Sequence, residues 1–242
     1  MALHQQMATL TGLAATIILL GVAVRAQNAD QILQKTRDTY AVLKSYSDSG
    51  AVVVEYGTSS VDRHSFSTSF NRAPRRFLLD FRKQGGGRYV IWGDPDAYHT
   101  WNNTTGQQFD YPNPNNASAI SLSGQSTKGA SGIIPQLLYS KAALGGLFNN
   151  VADMTTDATE AIGGRNCYRL VGRASDTYGA TGKEVNVRKV TVWIDAQSSL
   201  VRQVREEWKP LPGQRNRNTI IFQPQANPAF DESKVKFTPP AQ

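Results

Sequence analysis

Residues able to do acid–base or nucleophilic chemistry are few in this 242-residue chain. Past position 26 there are two histidines, His64 and His99, each in an alternating strand-like run without a second His or a Cys close by. A transition-metal site needs several such ligands brought together, so the pattern predicts no metal. Asp94 and Asp96 flank Pro95, with His99 three residues further on. These are the one grouping from which an acid–base pair could be assembled. The same Asp and Pro residues are what a tight turn selects, and the turn is the simpler reading. Cys167 is the only cysteine; it alternates with its neighbours and reads as a small buried hydrophobe, and alone it cannot close an intrachain disulfide. No G-x-S-x-G elbow, P-loop or H-E-x-x-H helix occurs. The expectation is a non-enzymatic chain with no catalytic residue, metal or cofactor.

Binding is the remaining class of function. Tyr56, Phe66, Phe70, Phe77, Phe81, Tyr89, Trp92, Trp101, Tyr168, Trp193 and Trp208 are spread over nearly every strand-like run. Such side chains make either an ordinary core or the dry wall of an acyl-chain cavity. Composition does not separate the two.

The elements that must position these residues follow from periodicity. Asn28 to Ser45 carries Ile32, Leu33, Thr36, Tyr40 and Leu43 at spacings of three and four, a helix with Asn28 as its N-cap. From Ser49 the period drops to two, and further strands are expected at 63–70, 76–82, 88–92, 98–102 and 107–111. Gly85-Gly86-Gly87 and Gly93-Asp94-Pro95-Asp96 punctuate them as turns. A Pro-, Asn- and Ser-rich loop follows to Gly132. Next, Ile133 to Phe148, with Leu137, Leu138, Leu144, Leu147 and Phe148, reads as a short helix or broken pair. Strands resume at 159–162, 166–173, 185–194, 200–208 and 218–223. About eleven antiparallel strands with two helical segments predict a mainly β fold with covering helices: an incomplete, strongly curved barrel with an N-terminal helix and a middle helical lid. The space between helices and sheet is its natural ligand site.

Leu13 to Val24 is the one long apolar run, ended by Val-Arg-Ala at Ala26. It is shorter than the roughly 20 residues a spanning helix needs, and it fits a signal-peptide core before a small-residue cleavage site. Residues 1–26 are therefore expected to be a signal peptide and 27–242 a single domain, soluble in the periplasm or secreted. Formal charge is +7, of which Arg25 contributes one. A basic balance favours anionic surfaces, and export argues against nucleic acid as the partner.

Several segments resemble the outer-membrane lipoprotein-carrier superfamily (lipoprotein-sorting, LolA/LolB-like). Leu43-Lys44-Ser45-Tyr46 before the first strand resembles the family's l-x-S-[FY], and Phe70 through Phe77 resembles its R-P-x-x-F segment, with Ala73 standing between Arg72 and Pro74. Asp96 to Trp101 is similar to D-G-x-x-x-W, with Ala97 at the Gly position. Val192-Trp193-Ile194-Asp195 with Leu200-Val201-Arg202 is similar to the late hairpin, and Phe237-Thr238-Pro239-Pro240 to the terminal F-x-P-P. The resemblance implies an open β-barrel covered by helices, holding lipid or lipoprotein acyl chains. It implies ligand handling by Arg72 and Phe77. Phe70, Trp101, Leu137 and Leu138 are the further candidates for the cavity wall. A monomeric carrier is expected, with a membrane-protein donor or acceptor as partner. A lipid- or partner-sensing envelope module on the same fold is the alternative.

Overall fold

The Asn28 side chain accepts from the Gln31 amide at 2.8 Å, and the Gln31 side chain accepts from the Asn28 amide at 3.3 Å. This reciprocal box satisfies two amides that a helix start leaves without partners. Helix α1 then runs Ala29–Val42 and buries Ile32, Leu33, Thr36 and Tyr40 along one stripe. It stops where Leu43 turns extended, and the chain enters the first strand. In this computed structural model the described residues are 28–57, 60–93, 97–112, 123–139, 150–178, 183–209 and 214–240. The expected signal peptide, Asp94 and Asp96, and Leu144, Leu147 and Phe148 lie outside them.

Six strands follow α1: β1 Ser45–Tyr56, β2 Ser60–Arg72, β3 Arg75–Lys83, β4 Arg88–Gly93, β5 Ala97–Asn102 and β6 Gln108–Pro112. A 3-10 turn, Ala130–Gly132, leads into the short helix α2, Ile134–Tyr139. Six more strands come after it: β7 Val151–Ile162, β8 Arg165–Tyr178, β9 Lys183–Asp195, β10 Val201–Trp208, β11 Asn216–Phe222 and β12 Gln225–Ala226. They form one antiparallel sheet in the order β6-β5-β4-β3-β2-β1-β11-β10-β9-β8-β7, with β12 beside β1. Each neighbour is the next strand in sequence except at β1–β11, where the two halves join. β6 and β7 are the edges, so the sheet is not closed. The expected mainly β architecture is the one observed.

Cross-strand pairing assigns each side chain to a face. Tyr46, Asp48, Val52, Phe66, Phe70, Phe77, Leu79, Ile91, Tyr98, Leu170, Val192, Val204, Ile220 and Phe222 point inward and are buried under α1, the 3-10 turn and α2. Two glycines let aromatic rings lie flat on this inner surface. A Cβ on Gly50 would stand 2.1 Å from the Phe66 ring, and one on Gly93 would stand 2.4 Å from the Tyr98 ring. These are cross-strand partners, Gly50 with Phe66 and Gly93 with Tyr98. The missing side chain is what makes room for the ring. On the outer face the C-terminal segment crosses β3–β5, burying Val235 and placing Phe237 against Trp92 and Trp101 at 5.0 and 5.4 Å.

β12 is not among the expected strands, β2 and β8 run longer than their alternation, and two further strands differ from the sequence reading for a visible reason. β1 begins at Ser45 rather than Ser49, because Tyr46 and Asp48 already pair with Phe70 and Thr68. β7 is twelve residues long, not four. It is an edge strand, exposed along most of both faces and interrupted by two register shifts, so residues 151–158 carry no inward–outward alternation.

Candidate functional site

At the turn between β2 and β3 the sheet leaves a groove of about 550 Å³, lined by Phe70, Arg72, Ala73, Pro74, Arg75, Leu138 and Tyr139. The sheet supplies Phe70 and α2 supplies Leu138 and Tyr139, so the floor is the seam between lid and strands. Tyr139 is its centre. The ring meets Phe70 at 5.5 Å, Phe77 at 6.0 Å and Tyr98 at 5.6 Å, all edge-on. Edge-to-face contacts fix ring orientations more tightly than apolar contact alone. Burial pushes the Tyr139 hydroxyl pKa well above the usual phenol range, with Tyr98 beside it acting in the same direction. The Tyr98 side chain is also the polar neighbour this hydroxyl meets.

The rim is cationic. Arg72 Nε donates to the Leu43 carbonyl at 2.6 Å and its Nη2 to the Tyr40 carbonyl at 3.0 Å. Both carbonyls belong to the end of α1, where C=O groups lack helical partners and the helix dipole favours a cation. The guanidinium also lies over the Phe70 ring, 5.2 Å from its centroid. Partial burial lowers its pKa, but an Arg stays charged in a protein. It carries five N–H groups, of which two serve these carbonyls. Arg75 lies 6.0 Å over the Tyr139 ring. An apolar floor under two guanidinium groups suits an amphiphile: chain on Phe70, Leu138 and Tyr139, anionic or carbonyl oxygens at the rim.

Of the residues singled out from sequence, Phe70, Arg72 and Leu138 meet at this groove. Phe77 lies directly behind it, fully buried against Tyr98 and Tyr139. Leu137, on the same helix, is buried in the main core. Trp101 is elsewhere. It pairs with Val90 on the outer face and lines a second groove of about 440 Å³ with Phe109, Pro239 and Pro240. Arg75 and Tyr139 were not among the sequence candidates. Arg75 reads as one of a run of basic residues, and Tyr139 closes an apolar segment that reads as core.

The other chemistry-bearing side chains are dispersed. His99 Nδ1 lies 2.7 Å from Asp110 Oδ1 and its ring stacks on Trp92, on the outer face. His64 is inward, near the far end of β2, where its Nδ1 accepts from the Gln84 amide at 3.3 Å. Cys167 is buried, and burial raises its thiol pKa, which disfavours the nucleophilic thiolate. Among the described residues no three His, Cys, Asp or Glu gather as a metal site.

One further buried acid stands out. Asp48 faces inward under α1, where its Oδ2 accepts from the Tyr46 hydroxyl at 2.8 Å. Thr68, its cross-strand partner, also reaches the carboxyl through its side chain and main chain. Burial pushes its pKa up to about 6, with Tyr46 and Thr68 acting against the rise.

No family model matches the chain, and no curated protein matches it. Similar solved structures exist at low identity. The lipoprotein LppX of Mycobacterium tuberculosis is 14% identical over 79% of this chain and 91% of its own, with a TM-score of 0.45. A LolA superfamily protein from Nitrosomonas europaea is 11% identical over 88% and 99%, with a TM-score of 0.36. MucB in the MucA/MucB complex of Pseudomonas aeruginosa is 12% identical over 86% of this chain, which spans 60% of that one, with a TM-score of 0.45.

Proposed function

We propose that this protein is a non-enzymatic carrier that holds a lipid or lipoprotein acyl chain in the groove between α2 and the β2–β3 edge of the inner face. The reading includes signal-peptide cleavage after Ala26 and a soluble, monomeric mature chain in the periplasm, exchanging cargo with a membrane-protein donor or acceptor. The observation that carries the binding reading is the groove itself, with Phe70, Leu138 and Tyr139 beneath Arg72 and Arg75. Its volume lies within the roughly 300–1,000 Å³ typical of small-ligand sites. The charge is at the rim and not in the floor, which favours an amphiphile over a wholly apolar ligand.

The test is mass spectrometry of lipids that co-purify from native periplasm, together with uptake of a fluorescent fatty acid. Wild-type protein takes up the probe with saturation. Leu138→Asp places a charge in the floor and abolishes uptake, while Arg75→Gln weakens fatty acid more than the corresponding fatty alcohol. A folded chain that carries no lipid and takes up neither probe overturns the reading.

A further inference from the structure

We propose that the corner of the sheet formed by the end of α1, the β2–β3 turn and the segment after β12 is a docking surface for an anionic lipid bilayer. In this arrangement Val42 and Phe230 enter the interface, and Lys44 and Arg76 meet the phosphates.

Val42 is 74% exposed and Phe230 42%, two of the few large hydrophobic side chains that the described residues present to solvent. They are far apart in sequence but held at one corner. The Lys44 amide donates to Asn227 Oδ1 at 2.8 Å, the Asn227 amide to the Ser45 carbonyl at 2.9 Å, and Ser45 Oγ to the Pro228 carbonyl at 2.6 Å. The Arg72 amide donates to the Lys44 carbonyl at 2.9 Å, which fixes the β2–β3 turn, with exposed Ala73 and Pro74, against the same corner.

Charge separates this corner from the opposite end of the sheet. There Arg88 pairs with Asp80 at 2.9 Å, Arg217 with Glu207 at 3.1 Å and with Glu55 at 3.2 Å, and Arg215 with Glu207 at 2.6 Å. At the docking corner Arg72 and Arg76 donate to neutral main-chain carbonyls, which leaves their positive charge in place. Two acids stand nearby, Asp231 and Glu232. Asp231 accepts from the neutral Ser233 amide and hydroxyl and keeps its negative charge, while Glu232 pairs with Lys236 at 2.9 Å and also feels the charge of Arg76. The corner's positive excess is that of Lys44, Arg72, Arg75 and Arg76 over these two acids. Single apolar side chains set among cations fit a lipid interface, where each inserts between headgroups. A protein partner would be met by a contiguous apolar patch with charges cleared from its centre.

The experiment is co-sedimentation of the purified chain with phosphatidylcholine vesicles, with and without phosphatidylglycerol, at low and high salt. Binding to the anionic vesicles should exceed binding to neutral ones by about tenfold, and it should fall as salt rises. Lys44→Gln/Arg76→Gln should remove most of that difference. Val42→Ser/Phe230→Ser should weaken binding, whereas Val61→Ser/Val187→Ser, at exposed sites away from the corner, should not. Circular dichroism confirms that each variant is folded. Equal binding to both vesicle types, or wild-type binding by the Val42/Phe230 variant, overturns the proposal. Fatty-acid uptake is measured alongside: vesicle binding that persists where uptake fails leaves the docking surface standing and removes the groove reading.

Discussion

At Arg72 a guanidinium caps the end of α1 through Nε and Nη2 while its face covers Phe70 at the groove. The two roles separate by substitution. Arg72→Lys keeps the charge but cannot reproduce a planar fork reaching two carbonyls. Stability should drop by about 1–2 kcal/mol in urea unfolding, the range for charged hydrogen bonds at a partly exposed site, while fatty-acid affinity changes little. Arg72→Gln should lower both. Asp48 gives a second residue-scale prediction, with the opposite sign. Its pKa is raised from 3.8 to about 6 in the fold. Below pH 3.8 the acid is protonated in folded and unfolded chains alike and contributes no pH dependence. Between that point and about 6 the unfolded chain has ionised and the folded one has not, so stability falls as pH rises, by up to about 3 kcal/mol in total. Asp48→Asn keeps an acceptor for the Tyr46 hydroxyl and removes the ionisation. The difference between wild type and variant in urea unfolding should be small near pH 4 and grow to favour the variant by neutral pH. A constant difference would contradict the raised pKa.

Among the elements, most strands announce themselves through alternation that agrees with the burial found. β3 is the clearest: Phe77, Leu79 and Phe81 point inward and Leu78 and Asp80 outward. β7 was legible only at its end, because an edge strand exposed on both faces has no apolar partner to select one side chain in two. The candidate site was legible in part for a related reason. Phe70 and Trp101 are both aromatic and both buried, yet one faces α2 and the other the C-terminal segment. Alternation shows that a strand has two faces. Which of them meets the helices depends on register, and register emerges only when all the strands pair. The glycines record that pairing. Gly50→Ala and Gly93→Ala would each drive a methyl group into a ring lying across the strand. The cost differs by neighbour. At Gly50 the Ile221 carbonyl, 2.5 Å from the added carbon, also blocks retreat of the sheet, so unfolding free energy should fall by about 2–4 kcal/mol. At Gly93 the clash is with the Tyr98 side chain alone, which can move by disturbing Tyr139. That variant should be the more stable of the two, yet it should take up fatty acid more weakly than the Gly50 variant; thermal unfolding and probe titration together check the pair.

Across the whole molecule, one curved sheet separates two differently built surfaces, and this makes them independently testable. Inside, α1 and α2 cover the core and leave the groove at the β2–β3 corner. Outside, the segment after β12 covers β3–β5, with Val235 buried and Phe237 between Trp92 and Trp101, capped by Arg88 at 5.1 Å. A ring half-buried between two indoles contributes about 1–2 kcal/mol, less than a fully buried Phe because part of its surface stays in water. Phe237→Ala should lower unfolding free energy by that amount. It should also uncover Trp92 and Trp101, shifting tryptophan emission to longer wavelength, whereas Trp193, buried on the far half of the sheet under Arg205, keeps its environment. Fatty-acid uptake should be unchanged, since no groove-lining residue contacts Phe237. If uptake falls in step with stability, the two faces are coupled through β3 and β4, and the C-terminal segment is then part of what holds the groove open. If uptake holds while the emission shifts, the sheet acts as a rigid partition, and the groove depends on α1, α2 and the β2–β3 turn alone.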